Sequence, residues 1–378
     1  MKQITWAILT GEYPPDIGGV SDYTEDVAEA LAAAGDDVHV WSPSREPAVR
    51  QQRGVWVHPL ADRYSPRTLV RLQRELAALP QPYRLLLQYT PNSFGMLGTN
   101  YAFALWLAAQ RTRPWIMFHE LYMPLTRAHP MKYNALALAQ RVTLALVMQT
   151  AERAFVSIPT WGEQLESYSN GQTIDWLPIP SNLVTPVAPA QVAALRTKYL
   201  SDPAQKLIGT FGTYHPLIAE MLREIVPPFL AGHNDRMMLL MGRGSEAFAT
   251  ELATAHPVLR QRLRPTGSLP SDALPAHLVA CDLLIQPYPD GVSTRRSSLI
   301  AGMGLGVPTV ANVGALSEPF WLEKEPVIVV SEPSASGMLA AAERALADPL
   351  LLRQAGDKAK AFYEKYLDVK HTVAALRA

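Results

Sequence analysis

The sequence predicts an α/β protein made of two doubly wound, parallel-sheet domains in tandem. Three observations carry this. Short apolar runs of strand length alternate with helical patterns along most of the chain, the signature of βαβ units forming a sheet covered on both faces. The length of 378 residues is too great for one ordinary core and suits two domains of similar size. The alternation stops across "LPIPSNLVTPVAPA", which carries four prolines and no helical period, and then restarts.

In the first half, "ITWAILT" reads as a buried strand and "SDYTEDVAEALAAAG" as a helix with an Ala-rich packing face, stopped by Gly35. "DVHVWSP" and "VWVHPL" are strands, and "RTLVRLQRELAAL" is an amphipathic helix. "YRLLLQY", "PWIMFHE" and "RAFVSIP" are apolar strands, each followed by a helical candidate. In the second half "KLIGTFG", "RMMLLMG", "DLLIQPY", "VPTVAN" and "PVIVVS" are strands with helices between them. The last segment, "LLRQAGDKAKAFYEKYLDVKHTVAALRA", is helical throughout and supplies more helix than the second domain needs.

Composition narrows the function. Apolar residues make up 48% and charged residues 18%, as expected of a packed globular protein. Lys plus Arg and Asp plus Glu are both 34, so the formal net charge is zero. That argues against general nucleic-acid binding through a basic surface and leaves room for a local basic site. The one cysteine, Cys281, lies in an apolar run and reads as a small buried residue, so no intrachain disulfide can form. This fits a reducing compartment. The N-terminal apolar run is too short for a signal peptide, and no apolar stretch reaches membrane-spanning length. The expectation is a soluble, cytoplasmic protein with room for peripheral contact at the inner membrane surface.

In open parallel sheets ligands bind beyond the C-terminal ends of the strands. Two such domains facing each other would point both sets of strand ends into one cleft, so the loops after strands are the places to search. The first is "TGEYPPDIGGVSDY", where Gly18 and Gly19 precede a helix. Paired glycines let a ligand approach the backbone, and the helix N-terminus favours an anion. The spacing is not G-x-G-x-x-G, and a tight strand-to-helix turn explains the pair equally well.

His119 and Glu120 follow the strand in "IMFHELYMP". The histidine could donate to a substrate hydroxyl and the glutamate orient an acceptor or act as a base. A buried histidine satisfied by backbone is the alternative. Gly212, Thr213, Tyr214 and His215 follow the first strand of the second domain, ahead of a helix starting near Pro216. They read as a phosphate- or sugar-facing loop or as a helix cap. Arg243, between Gly242 and Gly244, and Gly267 with Ser268 are ordinary caps unless a ligand lies over them; Ser271 or Asp272 is the expected cap of the next helix. Tyr89, Asn92 and Tyr122, in or just after first-domain strands, are the acceptor-facing candidates. No H-E-x-x-H and no cysteine cluster is present, so no metal site is expected.

The most informative stretch is "YPDGVSTRRSSLIAGMGLGVPTVA", from Tyr288 to Ala311. It reads as loop, helix and strand, with Arg295 and Arg296 at the helix entrance. A helix N-terminus carries about half a positive charge, so cations there are disfavoured by about 0.3–1 kcal/mol. A solvated surface pair would tolerate that cost. A bound anion would reverse it, with forked guanidinium donors and the hydroxyls of Ser293, Thr294 and Ser297 around a diphosphate.

These residues together resemble the GT-B-fold glycosyltransferases of the retaining family-four, or glycosyl transferases group 1, type. "GEYPPDIGGVSDYTEDVAEALAAAGDDVHVW" and "GSLPSDALPAHLVACDLLIQPYPDGVS…AGMGLGVPTVA" carry the likeness, which extends over nearly the whole chain. The resemblance implies two Rossmann-like doubly wound domains facing a central cleft. Residues 1–185 would form the acceptor-binding domain and 186–360 the donor-binding domain, with 361–378 a helix crossing back to the first. It implies a nucleotide-diphosphate sugar as donor substrate, no cofactor and no metal requirement. Gly19 matches the family's glycine against the donor phosphates, and His119 its histidine at the donor sugar.

Three features depart from the family pattern. Its E-x7-E motif falls on Ser293 and Ala301; with an insertion, Asp290 and Gly291 stand for the first Glu-Gly. Either way the second carboxylate, which holds the ribose in the family, is missing. The Arg and Lys usual after the second domain's first strand are also absent from "FGTYHPLIAEML", and Arg295 with Arg296 would supply that charge.

The resulting expectation is an enzyme moving a sugar from a nucleotide diphosphate to an acceptor hydroxyl, with retention. The acceptor would be a glycan, a lipid-linked or a small molecule. A catalytically silent GT-B partner subunit is the rival, and a sugar-nucleotide epimerase a more distant one. "RTRPW", "LTRAHPMKYNALALAQR" and "VRLQREL" set basic residues among apolar ones. They suit docking at an anionic membrane, or simply helices packing on their own sheet.

Overall fold

The computed structural model describes residues 2–16, 18–44, 48–127 and 130–378. The chain divides into two compact units, Met1–Pro178 with Val369–Ala378, and Ile179–Asp368. The sequence reading sets the divisions at 185 and 360; the helix it begins at 361 is in the structure the end of a longer helix that reaches Tyr366 within the second unit.

In the first unit, β1 (Thr5–Leu9) leads through a loop to α1 (Gly19–Ala33), then β2 (Asp37–Pro43), β3 (Arg50–Gln52) and β4 (Val55–Leu60). α2 (Pro66–Ala77), β5 (Tyr83–Tyr89), α3 (Tyr101–Ala108) and β6 (Trp115–Phe118) follow. α4 (Met131–Thr150), β7 (Arg153–Val156), α5 (Pro159–Glu166) and β8 (Thr173–Trp176) complete it. Among the described residues eight strands form one sheet in the order β3-β4-β2-β1-β5-β6-β7-β8, parallel except for β3 on β4. β1 is wholly apolar after Thr5 and buried, because helices cover both faces at the sheet centre. α2 begins at Ser65, whose hydroxyl accepts from Thr68 N at 3.3 Å, with Pro66 at the first helical position. Its leucines 69, 72 and 76 all point inward.

The second unit opens with α6 (Pro189–Tyr199), β9 (Lys206–Phe211), α7 (Pro216–Ala231), β10 (Arg236–Met241), α8 (Ser245–Ala255) and β11 (Leu263–Pro265). It continues with α9 (Leu274–Val279), β12 (Leu283–Gln286), α10 (Ser297–Gly304), β13 (Thr309–Asn312) and α11 (Phe320–Lys324). β14 (Ile328–Val330), α12 (Ala335–Ala347) and α13 (Pro349–Tyr366) end it. Its described strands form an all-parallel sheet ordered β11-β10-β9-β12-β13-β14. Consecutive strand residues serve opposite faces: Ile208, Leu240 and Ile285 pack under α7, α8 and α12, while Leu207, Leu239 and Leu284 pack with α6, α9 and Ala301 of α10.

β3, β8 and β11 are absent from the sequence reading. All three lie at or next to a sheet edge, and "RQQ", "TIDW" and "LRP" carry no continuous apolar run because an edge strand is not buried on both sides. α9 is also capped differently: Ala273, not Ser271 or Asp272, precedes its first turn.

The final helix, α14 (Val369–Arg377), packs on α1 of the first unit. Asp36 holds it there. Its buried carboxylate accepts from Ile4 N and Trp6 Nε1, both at 3.0 Å, and pairs with Arg377 at 3.5 Å. Arg377 also donates to Ala34 O at 2.7 Å, and Arg84 donates to Leu376 O while its guanidinium lies 4.6 Å from the Trp115 ring centre. Asp36→Ala strands a buried indole N–H and an arginine, and is expected to lower the unfolding free energy by about 2–4 kcal/mol. Denaturant titration against wild type measures it; a change under about 0.5 kcal/mol would show that the clasp contributes nothing.

Candidate functional site

Each sheet reverses its strand order once. In the second unit the reversal lies between β9 and β12, so the loops after these strands leave in opposite directions and open a crevice. The β9–β12 ladder is short, pairing Leu283 with Ile208 and Leu284 with Gly209. Beyond it the Gln286 side chain takes over. Its Oε1 accepts from Phe211 N at 3.3 Å and its Nε2 donates to Phe211 O at 3.0 Å, replacing the missing backbone partner.

Three strand-end loops meet beside this crevice. A Cβ on Gly242 would lie 2.2 Å from Gly212 O, so only glycine allows the β9 and β10 loops to touch. Gly242 N donates to Gly267 O at 3.0 Å, and Gly267 N donates to Ser245 Oγ at 2.9 Å. Thr213, His215, Arg243 and Ser268 are exposed around them. Tyr214 packs on Phe248 with ring centres 5.1 Å apart, and its hydroxyl is buried. Burial pushes that hydroxyl's pKa far up, so Tyr214 stays neutral.

The loop from Tyr288 to Arg296 is fixed from below. Asn312, at the end of β13, donates through Nδ2 to Tyr288 O at 2.8 Å and accepts from Tyr288 N at 2.9 Å. Gly291 (φ 87°) turns the chain so closely over Gly314 that a Cβ would lie 2.1 Å from Gly314 N. Ser293 and Thr294 were expected to offer hydroxyls to a ligand, and both are fully buried instead. Thr294 donates its N–H (3.0 Å) and its hydroxyl to Glu318 Oε1, and Glu318 Oε2 accepts from Trp321 Nε1 at 2.7 Å. The loop is thus anchored inward on a buried carboxylate, whose pKa burial raises. Ser297, exposed, and Ser298, sharing a 3.1 Å hydrogen bond with Tyr288 OH, remain at the start of α10.

Arg295 and Arg296 converge. Each donates through Nη2 to a different oxygen of Asp290, and the Arg296 guanidinium lies 4.7 Å from the Tyr288 ring centre. Two guanidinium groups thus meet on one carboxylate beside the positive end of α10. Ser298 Oγ lies 4.0 Å from where a Gly212 Cβ would sit, which puts the head of α10 against the β9 loop. Ala301 has no exposure at all, so the position of the second E-x7-E carboxylate is in the core.

In the first unit the reversal lies between β1 and β5. Glu12, in the loop after β1, places Oε1 at 3.1 Å from both Val20 N and Ser21 N and so caps α1 with a carboxylate. Gly18 is a glycine because a Cβ there would meet Glu12 Oε1 at 2.3 Å; a Cβ on Gly19 would meet nothing. The two adjacent glycines therefore differ: one accommodates the chain's own carboxylate and the other faces open space.

His119 N continues the sheet by donating to Tyr89 O at 2.9 Å. Its side chain is buried, with Nε2 2.8 Å from Gln88 Oε1 and its ring edge-on to Tyr23 at 4.7 Å. Burial holds its pKa down to about 3, so the imidazole is neutral, with Nε2 donating to Gln88 and Nδ1 left as an acceptor. Glu120 is exposed beside it. Of the acceptor-facing candidates, Asn92 is exposed, but Tyr89 is a core residue packed on Phe118. β5 is buried at every position from Leu85 to Tyr89, and that decides it. The Tyr122 ring lies under Arg141 (3.8 Å) and its hydroxyl donates to Gln164 Oε1 at 3.1 Å. Glu12, Gln88, Gln286, Asn312 and Glu318 were missed by sequence reasoning. Only Glu12 carried a visible signal, as a carboxylate in the same loop as the paired glycines. Among the described residues no group of three or more His, Cys, Asp or Glu could hold a metal ion.

Comparison with known proteins bears on the fold. Residues 18–182 match the family profile of the glycosyl transferase 4-like domain. No curated protein matches the sequence. Sucrose-phosphate synthase from Thermosynechococcus elongatus is similar over 99% of this chain and 97% of its own, at 17% identity and a TM-score of 0.71. HepE from Anabaena, in a complex with UDP and glucose, is similar over 99% and 98%, at 14% identity and a TM-score of 0.71. WaaG, a glycosyltransferase involved in lipopolysaccharide biosynthesis, is similar over 97% and 98%, at 14% identity and a TM-score of 0.64. The fold of the chain is GT-B. Its first unit resembles the glycosyl transferase 4-like domain across residues 18–182.

His119 allows a test by proton linkage. An unfolded histidine titrates near about 6.5, so between that value and its folded one the unfolded chain binds more protons. The stability this group contributes is complete above pH 6.5 and is lost as pH falls towards 3; His58, lowered by burial to about 4, acts with the same sign. From pH 7 to pH 5 wild type is expected to lose about 2 kcal/mol more unfolding free energy than His119→Asn. Parallel pH profiles would mean that the folded protein protonates His119 freely.

Proposed function

We propose that the chain transfers a sugar from a nucleotide-diphosphate donor to an acceptor hydroxyl, and that the donor diphosphate binds Arg295 and Arg296 at the head of α10. One observation carries this: two guanidinium groups meet on a single carboxylate at a helix N-terminus beside a strand-order reversal. A diphosphate brings about two negative charges to a place where two guanidinium groups meet the positive end of the helix dipole. Fixed positive charge on a departing diphosphate stabilises the transition state more than the ground state. HepE, of the same fold, was solved with UDP-glucose, which supports a nucleotide sugar as donor.

On this reading Ser297, Ser298 and the β9 and β10 loops surround the donor, and Asp290 is the internal counter-anion it must displace or share. The first unit carries the acceptor. His119 acts through neutral hydrogen bonds to a sugar hydroxyl, Glu120 orients the acceptor, and Gly19 allows close approach. Transfer with retention is the outcome that the family-four likeness favours, and the anomeric configuration of the product, read by NMR, tests it.

Calorimetric titration with nucleoside diphosphates tests the donor site. Wild type is expected to bind in the micromolar range, and an Arg295→Ala/Arg296→Ala variant to lose at least about 2 kcal/mol. Asp290→Asn removes the competing carboxylate and is expected to bind several-fold more tightly. No binding by wild type would favour a silent subunit. An unchanged double variant would move the diphosphate away from α10.

A further inference from the structure

Each sheet carries a buried glutamine on the strand that adjoins its first strand across the order reversal. β5 ends in "LLLQY" and β12 runs into "LLIQPY", so Gln88 and Gln286 stand at matching places, 0% and 2% exposed. A carboxamide in an apolar strand costs stability unless its ends are hydrogen-bonded. The two residues meet that demand differently.

Gln286 closes its own sheet. Its Oε1 accepts from Phe211 N and Thr210 Oγ1, both at 3.3 Å, and its Nε2 donates to Phe211 O at 3.0 Å. Gln88 has the same opportunity, because the β1–β5 ladder ends one residue earlier, where Leu9 pairs with Leu87. It turns to β6 instead. Its Oε1 accepts from His119 Nε2 at 2.8 Å, and its Nε2 is buried with no partner among the described residues. A buried donor left unpaired costs about 1–3 kcal/mol, and a leucine would fill the same space without it. The residue type therefore serves the imidazole, not the packing.

That one contact decides what His119 can offer. A neutral imidazole has one donor and one acceptor nitrogen, and the bond made by one fixes the role of the other. With Nε2–H given to Gln88, Nδ1 is the acceptor. Among the described residues no charged group competes for the ring. From α1, Tyr23 meets it edge-on at 4.7 Å, and burial with the nearby Asp26 charge keeps that phenol protonated. On β5 the Tyr89 hydroxyl beside Gln88 is kept protonated by burial. On β6 the next residue, Glu120, is exposed. Burial alone lowers the pKa of His119.

We propose that Gln88 is the positioning residue of the first unit: it fixes His119 as the Nε2–H tautomer, so that Nδ1 accepts a hydrogen bond from a sugar hydroxyl. This rests on the reading of His119 as the residue that meets such a hydroxyl.

Nitrogen NMR of the full chain, isotopically labelled in histidine, reads the two ring nitrogens, with His119→Asn identifying the signals. Wild type is expected to show Nε2–H at neutral pH. Gln88→Leu, which removes the acceptor, is expected to show a mixture of tautomers. Gln88→Glu lets the pair bind one more proton at a pH about 1–3 higher than the wild-type ring does. Either the ring becomes imidazolium or the carboxyl group donates to Nε2, and both put a proton on Nδ1. Turnover of UDP-glucose supplies the functional readout. On the acid side of that titration kcat is expected to fall at least about tenfold in Gln88→Glu, with affinity for UDP unchanged. Unchanged circular dichroism would show that the variants fold, and the nearly isosteric Gln88→Glu decides the matter if Gln88→Leu does not fold. The proposal is overturned if wild type shows Nδ1–H, which would mean that the carboxamide is turned the other way. It is also overturned if Gln88→Leu keeps the wild-type tautomer, or if Gln88→Glu gains the Nδ1 proton without losing turnover. Should wild type turn over no nucleotide sugar, the reading of the reaction fails, while the tautomer still decides the role of Gln88.

Discussion

Both sheets are organised by one topological constraint. A parallel sheet that grows outward in both directions from its first strand must send two neighbouring loops apart, and the backbone between them loses its ladder partner. The chain meets this cost locally. In the second unit Gln286 bonds both backbone groups of Phe211, and Gly242 lets the β9 and β10 loops touch. In the first unit the corresponding loop is closed by Glu12 on the head of α1. The crevices are consequences of strand order, and the side chains at their rims are spent on keeping them open.

The two crevices treat charge differently. At α1 a carboxylate caps the helix directly and satisfies two N–H groups. At α10 the single carboxylate of Asp290 is shared by two arginines and does not cap the helix. The first arrangement places the carboxylate on the helix itself; the second gathers two guanidinium groups on a loop held by Asn312 and the buried Glu318. Guanidinium groups held in place can bind an anion without reorganising first, which is why the donor is proposed to sit in the second unit. His119 adds no charge to the first unit, because burial keeps it neutral.

The strands and helices were largely legible because each is buried on the side its apolar period predicts. "DVHVWSP", "VWVHPL" and "YRLLLQY" coincide with β2, β4 and β5 residue for residue. The three short strands at or beside the edges were not, because they lack the burial that writes an apolar run. The return of the chain's end to the first unit depends on Asp36 meeting Arg377, a pairing across 341 positions that no local pattern records.

The sequence by itself determined that loops follow buried parallel strands, that paired glycines and a double arginine stand at two helix entrances, and that the likeness is to family-four glycosyltransferases. Those are properties of composition, period and motif. Only the tertiary structure decided which hydroxyls and charges are available. It buried Ser293, turned Thr294 onto Glu318, put Tyr89 in the core, set Asp290 between the arginines, and left Met131, Leu138 and Val142 of α4 exposed. The physical reason is that a side chain's direction and partners are fixed by contacts distant in sequence, while its chemical type is fixed by the sequence alone.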